Sequence, residues 1–290
     1  MTSTKTVSAD GTIELTFFIP WKTLQATYEV VVDDFVKETE LKGFRKGKAP
    51  RKMVEDTLNK NTVYEEAIKR LVPKVYADTV KEHKLRPILT PQIELKEAKE
   101  GTDWTITAKT CERPVVEVGE YKKVILELKS EKANKLIIPG QEEPKPPPRL
   151  GEAGEDKKPT LDEILTKVLS VTKATIPSVL IEHEVTHQLS QLVDQTKKLG
   201  LTVEQYLAST NRTAESVRQE YTTNATRVLS LEFTLEIIAD REKITVEDQD
   251  LKKILETAKT DAEKKQFEEQ KYYIVNMVRR QKTIDFLASL

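Results

Sequence analysis

Residues 12–35 read TIELTFFIPWKTLQATYEVVVDDF, and the spacing of their apolar side chains changes once. Ile13, Leu15, Phe17 and Ile19 occupy every second position, the period of a half-buried strand. After Pro20 the interval lengthens: Leu24, Tyr28, Val31 and Phe35 recur at helical spacing, and Pro20 suits a first helical turn. A strand that passes straight into an amphipathic helix makes the amino-terminal part a mixed α and β structure. Working outward, this helix must stop by Gly43. Ala49 to Lys60 reads as a short helix, and Val63 to Lys84 as a longer one with Ile68, Leu71, Val75 and Val80 inward. Pro73 lies inside the longer helix, so a kink is expected there. Extended segments follow around Leu85 to Leu95 and Trp104 to Cys111, where Trp104, Ile106 and Ala108 share a face. The order is β-α-α-α-β-β.

Val124, Leu126 and Leu128 alternate and read as a further extended piece. Beyond them Pro139 to Pro159 holds nine Pro or Gly among 21 residues, including PKPPPR and GEAGEDKKP. Such a stretch cannot keep a ladder of backbone hydrogen bonds and behaves as a semi-extended tether. From there the text is helical. Thr160 with Glu163, and Thr202 with Gln205, form capping boxes, and Gly200 is placed to end the helix that begins near Pro177. Leu229, Leu231, Phe233, Leu235 and Ile237 alternate as a strand would. The run from Thr213 to Arg241 nevertheless lacks Gly and Pro throughout, which favours one long helix. The expected fold class is α+β: a β-α-α-α-β-β domain over residues 1–115, an extended Pro/Gly-rich tether over 116–158, and an all-helical domain over 159–290.

The composition fits two domains. The 290 residues exceed one ordinary core, 38% are hydrophobic, and 33% are charged with few aromatics, as in a well-solvated helical protein. The amino terminus lacks the apolar run of a secretory signal, and no segment approaches the roughly 20 apolar residues that span a bilayer. A cytoplasmic protein without a membrane partner is expected. The single cysteine, Cys111, cannot form an internal disulfide, and in the alternating stretch WTITAKTC it reads as a strand residue.

Residues 183–187, HEVTH, match the zinc-protease pattern in which two histidines hold a metal and the glutamate activates water. Along this helix Ile181, Val185, Leu189 and Leu192 define the inward stripe, and His183 and His187 fall opposite it, facing solvent. His83, the third histidine, belongs to the other domain, so the match reads as fortuitous and no metal is expected. No phosphate-binding glycine loop or Ser-His-Asp order is present either. The chain reads as a non-enzyme without a cofactor.

Charge is balanced overall, with 47 basic and 48 acidic residues, yet six of the eleven residues from Lys42 to Lys52 are Lys or Arg and none is acidic. Within this stretch lies GFRKGKAP, residues 43–50. Gly43 and Gly47 free the backbone on either side of Phe44, Arg45 and Lys46, and Pro50 restarts a helix, so the tip is expected to project. An exposed ring flanked by cations suits a mixed surface of protein and RNA, where the ring enters an apolar notch and the cations meet carboxylates or phosphates.

GFRKGKAP resembles, nearly letter for letter, the ribosome-docking signature of the bacterial trigger factor family. The segments IPSVLIEHEVTHQLSQL, GLTVEQYLAST, FTLEIIADREKI and VRRQKTIDFLASL are similar to the helical carboxy-terminal domain of that family. The resemblance implies an ATP-independent chaperone that docks beside the polypeptide exit tunnel and shields nascent chains. Its implied partners are a ribosomal protein and rRNA at the tunnel, unfolded or nascent polypeptides, and a second copy in a homodimer. It implies that Phe44, Arg45 and Lys46 make the principal ribosome contacts, while Gly43, Gly47, Lys48 and Pro50 shape or assist the loop. Typical members carry a prolyl isomerase domain between the two regions. The intervening stretch here is too short for one, so no isomerase activity is expected. The alternative is a ribosome-independent dimeric holdase or assembly chaperone.

Overall fold

The computed structural model of the chain describes residues 3–40, 44–134, 159–255, 267 and 270–290. The chain forms two compact units, Met1–Arg113 with Pro177–His183, and Pro114–Ile176 with Glu184–Leu290.

The first unit contains β1 (Ser3–Val7), β2 (Thr12–Ile19), α1 (Trp21–Glu38), α2 (Arg51–Thr57), α3 (Lys60–Glu82), β3 (Gln92–Glu97) and β4 (Trp104–Cys111). The strands make one antiparallel sheet in the order β1-β2-β4-β3. Leu15 pairs with Ala108, Phe17 with Ile106 and Ile19 with Trp104, so the alternating apolar sets of β2 and β4 share one face. That face is buried with Leu24, Val31 and Val32 of α1 and Val63, Ala67, Val72 and Val75 of α3. Tyr64 of α3 packs between Tyr28, at a ring-centre distance of 4.8 Å, and Trp104, at 5.2 Å. Helix α3 continues through Pro73. The expected β-α-α-α-β-β order is present, with one strand added before it. Strand β1, STKTV, has a single large apolar residue and lies at the sheet edge almost wholly exposed, so periodicity could not mark it.

Two helix starts in this unit follow prolines and take their caps from distant residues. Pro20 sits just outside α1 and has no side-chain acceptor, and Asp103, ahead of β4, accepts from the Trp21 amide at 2.8 Å. At the start of α6 (Ser178–Lys198), the Ser178 amide donates to Asp10 Oδ2 at 2.8 Å. Asp10 also accepts from the Thr12 amide at 3.0 Å and the Thr12 hydroxyl at 2.9 Å. Burial alone would raise the Asp10 pKa, but these bonds from Ser178 and Thr12 outweigh it and hold the carboxyl well below the usual carboxylate range.

The second unit contains β5 (Val116–Val118), α4 (Tyr121–Asn134), α5 (Leu161–Ser170), β6 (Thr172–Ala174), the greater part of α6, α7 (Val203–Ser209), α8 (Ala214–Arg241), α9 (Asp248–Leu255) and α10 (Lys271–Ser289). It is mainly helical, with β5 and β6 as an antiparallel pair that departs from the all-helical expectation. The larger departure is α4. The extended tether was expected from residue 116, and residues 121–134 form a helix instead. The buried stripe is Tyr121, Ile125 and Leu128, at helical spacing, while Leu126 is 55% exposed. The alternation of Val124, Leu126 and Leu128 was a by-product of this stripe. Tyr121, Ile125 and Leu128 pack with Ile164 and Val168 of α5, Leu235 and Ile238 of α8, and Leu287 of α10. The remaining tether residues, 135–158, lie outside the described residues. The capping boxes at Thr160 and Thr202 are both present, Gly200 has a left-handed φ of 70°, and residues 214–241 form one helix.

Candidate functional site

Helix α1 ends as the Thr39 amide donates to Phe35 O at 2.8 Å, and the chain returns to the same point through Gly47, whose amide donates to Thr39 O at 3.3 Å. Gly47 has a φ of 73°, and a Cβ there would lie 2.9 Å from Lys37 O. Both facts require glycine: L residues rarely adopt that conformation, and the backbone oxygen leaves no room. The Lys48 amide donates to Arg45 O at 2.9 Å, closing a turn around Lys46 and Gly47. Ala49 is buried, and Pro50 stands immediately outside α2, one position earlier than a first-turn proline. The loop is thus held at Gly47 and at the buried Ala49.

On this loop Phe44 is 36% exposed, and Arg45, Lys46, Lys48 and Pro50 are exposed. Among the described residues no ion pair engages Arg45, Lys46 or Lys48. Gly43 lies outside the described residues. Phe44, Arg45, Lys46, Gly47, Lys48 and Pro50 therefore stand together on one loop between α1 and α2.

Counting bases along the sequence missed a division of labour. Arg51, the first residue of α2, turns back to α1, where its guanidinium meets the Glu29 carboxylate and, at 2.9 Å, Asp33 Oδ1. Asp34 accepts from Arg70 of α3 at 2.7 Å and from Lys37 at 2.9 Å. The Arg70 hydrogen bond, and then that of Lys37, hold Asp34 below its ordinary pKa. Glu29 and Asp33 lie four apart on α1, a spacing that puts both on one helix face and could have flagged a basic partner.

The other candidates resolve differently. His183 and His187 are exposed, and His187 Nε2 lies 3.3 Å from the Gln191 side-chain amide. Among the described residues no group of three or more metal-ligating side chains occurs. Cys111 is fully buried, and burial, followed by the charge of Asp10, pushes its thiol up to about 11, away from the thiolate form. In the second unit a cavity of about 490 Å³ is lined by Leu169, Ala174 and hydroxyl residues including Thr222, Thr226 and Ser230. Tyr272, Tyr273 and Met277 of α10 are exposed by 83%, 68% and 49%. Among the described residues no helix is long and apolar enough to cross a membrane.

A sheet-and-helix unit that carries an exposed cationic loop with a phenylalanine, in one chain with a mainly helical unit, defines a two-unit α+β protein. Residues 1–136 match the family model described as "Bacterial trigger factor protein (TF)", and residues 152–289 match that of "Bacterial trigger factor protein (TF) C-terminus". The chain belongs to the bacterial trigger factor family. It is 34% identical over 120 residues to the trigger factor of Natranaerobius thermophilus, covering 41% of this chain and 26% of the relative. Against that of Ligilactobacillus salivarius it is 34% identical over 122 residues, 41% of this chain and 28% of the relative. Against that of Streptomyces coelicolor it is 30% identical over 116 residues, 40% and 25%. The aligned stretches thus span about a quarter of these curated relatives. A solved chain from work on "Promiscuous Substrate Recognition in Folding and Assembly Activities of the Trigger Factor Chaperone" has the same fold, with a TM-score of 0.61 at 13% identity. That match covers 100% of this chain and 99% of the solved one.

Proposed function

We propose that this chain is a cytoplasmic, ribosome-associated chaperone that docks through the loop at residues 43–50 and shields emerging polypeptides without ATP. The observation that carries the reading is the loop itself: a partly exposed Phe44 beside Arg45, Lys46 and Lys48, whose charges no acid of the described residues takes up. On docking, Phe44 buries its ring in an apolar notch of a tunnel-exit protein, and the cations meet carboxylates and rRNA phosphates. Gly47 and Pro50 set the loop's shape, and Gly43 and Lys48 assist. The helical unit supplies the client surface, where exposed Tyr272, Tyr273 and Met277 provide weak, non-directional contacts. Such holding needs no bound cofactor, and homodimers form when ribosomes are absent.

The two matched regions leave residues 137–151 between them, too few for a folded isomerase domain, so the reading includes no prolyl isomerase activity. The deciding experiment is co-sedimentation with purified ribosomes at low salt. Wild-type protein pellets with them, while the Phe44→Ala/Arg45→Ala/Lys46→Ala variant stays in the supernatant with an unchanged circular dichroism spectrum. Equal pelleting of the two would remove the loop from the reading, and a wild-type protein that ignores ribosomes would favour a ribosome-independent holdase.

A further inference from the structure

Arg51 is placed where a cation is unfavourable by itself. It opens α2, a helix of seven residues whose first turn has no acid and whose proline boundary offers no side-chain cap. The positive end of the helix dipole and the neighbouring bases Lys48 and Lys52 both oppose a further positive charge there. The offset comes from α1, because one guanidinium bridges Glu29 and Asp33, two carboxylates a single turn apart. A planar fork with donors on both sides can span such a pair, and a lysine ammonium cannot do so in the same geometry.

The bridge lies at the base of the loop. Gly47 is seated against the end of α1, and three residues beyond the glycine the chain reaches Pro50 and then Arg51. Three residues after Arg51, Val54 is the buried residue of α2. On the adjoining side of α1, Asp34 joins α3 through Arg70. The acids of α1 therefore hold the helices on both sides, and the bases left outward are those of the tip and Lys52.

We propose that Arg51 is a positioning residue for the docking loop: by bridging Glu29 and Asp33 it sets α2 against α1, and it does not itself contact the partner. This rests on the docking role of the loop. Its consequence runs against simple charge counting, since neutralising two acids beside a cationic loop should strengthen attraction to RNA if charge alone mattered, whereas loss of the bridge weakens binding.

The test uses the full chain with two variants, Arg51→Ala and Glu29→Gln/Asp33→Asn. Each is expected to bind ribosomes roughly threefold to tenfold more weakly, the loss of a small exposed ion-pair network. The slope of log affinity against log salt is expected to stay at the wild-type value, while Lys46→Ala lowers it by about one. Arg51→Lys, able to reach one acid at a time, should recover part of the loss. Tighter binding by Glu29→Gln/Asp33→Asn, or a slope reduced by Arg51→Ala, would overturn the positioning role. Amide hydrogen exchange without ribosomes gives a readout independent of docking. Both variants should speed exchange at Met53 and Val54, and unchanged exchange there would overturn the bridge whatever the ribosomes do.

Discussion

Gly47 illustrates how one residue decides whether the tip can form. A methyl group at this position meets the Lys37 carbonyl and forces a left-handed backbone onto an L side chain. Gly47→Ala is expected to cost about 1–3 kcal/mol, taken mainly from the loop, and to reduce ribosome pelleting without abolishing the fold. Urea unfolding followed by co-sedimentation checks both parts. Asp10 makes a different contribution. Its folded pKa is depressed, so its stabilisation is fully present above the ordinary carboxylate range and is lost as pH falls through the folded value. Asp10→Asn should flatten the acid side of the stability profile of the first unit, and an unchanged profile from pH 7 to pH 2 would show that the carboxylate contributes nothing. Nothing in the local sequence shows that Asp10 caps a helix starting at Ser178, or that Asp103 serves Trp21. Both acids look like ordinary turn residues until the chain brings them to a helix start that proline left uncapped.

At the scale of elements, α4 offers the sharpest comparison. An alternating reading puts Leu126 inside with Val124 and Leu128, whereas the helix buries Ile125 beside Tyr121 and Leu128. Ile125→Ala is therefore expected to cost about 2–5 kcal/mol by opening a cavity, and Leu126→Ala less than about 0.5 kcal/mol. Chemical denaturation of the two variants checks this, and equal losses would contradict the helix. Elsewhere local signals sufficed. Helices α5 and α7 begin at the expected capping boxes because the hydroxyl and the carboxylate or amide three residues later are close in sequence. Helix α8 has the same device at Thr213 and Ser216, unread because serine stands where glutamate or glutamine is usual. Its alternating apolar residues are compatible with a helix because Leu229, Leu235 and Ile238 face inward while Leu231 and Phe233 flank that stripe.

For the whole molecule the prediction is electrostatic. If the tip neutralises two or three phosphates, ribosome affinity falls with salt at a log-log slope of about −2 to −3, and a salt titration of pelleting measures it. A slope near zero would mean that Phe44 and other uncharged contacts carry the docking. A proline-limited refolding assay, cleared of contaminating isomerases, should show no acceleration by this chain beyond that of a non-specific holdase. Specific catalysis would overturn the proposal that this chain lacks prolyl isomerase activity.

The sequence by itself determined the strand-to-helix switch at Pro20, the three helices after it, the β2 and β4 faces, the long α8 and the break between α1 and α2 where the basic stretch falls. All of these depend on spacing between near neighbours, which a local pattern records directly. Only the tertiary structure decided that β1 joins the sheet, that residues 121–134 are helical, and that Asp10 and Asp103 cap remote helices. It likewise decided that Arg51 faces α1 while Arg45, Lys46 and Lys48 remain unpaired among the described residues. The reason is common to them: each depends on a partner far along the chain, and Arg45, Lys46, Lys48 and Arg51, which look alike in a row, are told apart only by which of them lies within reach of an acid.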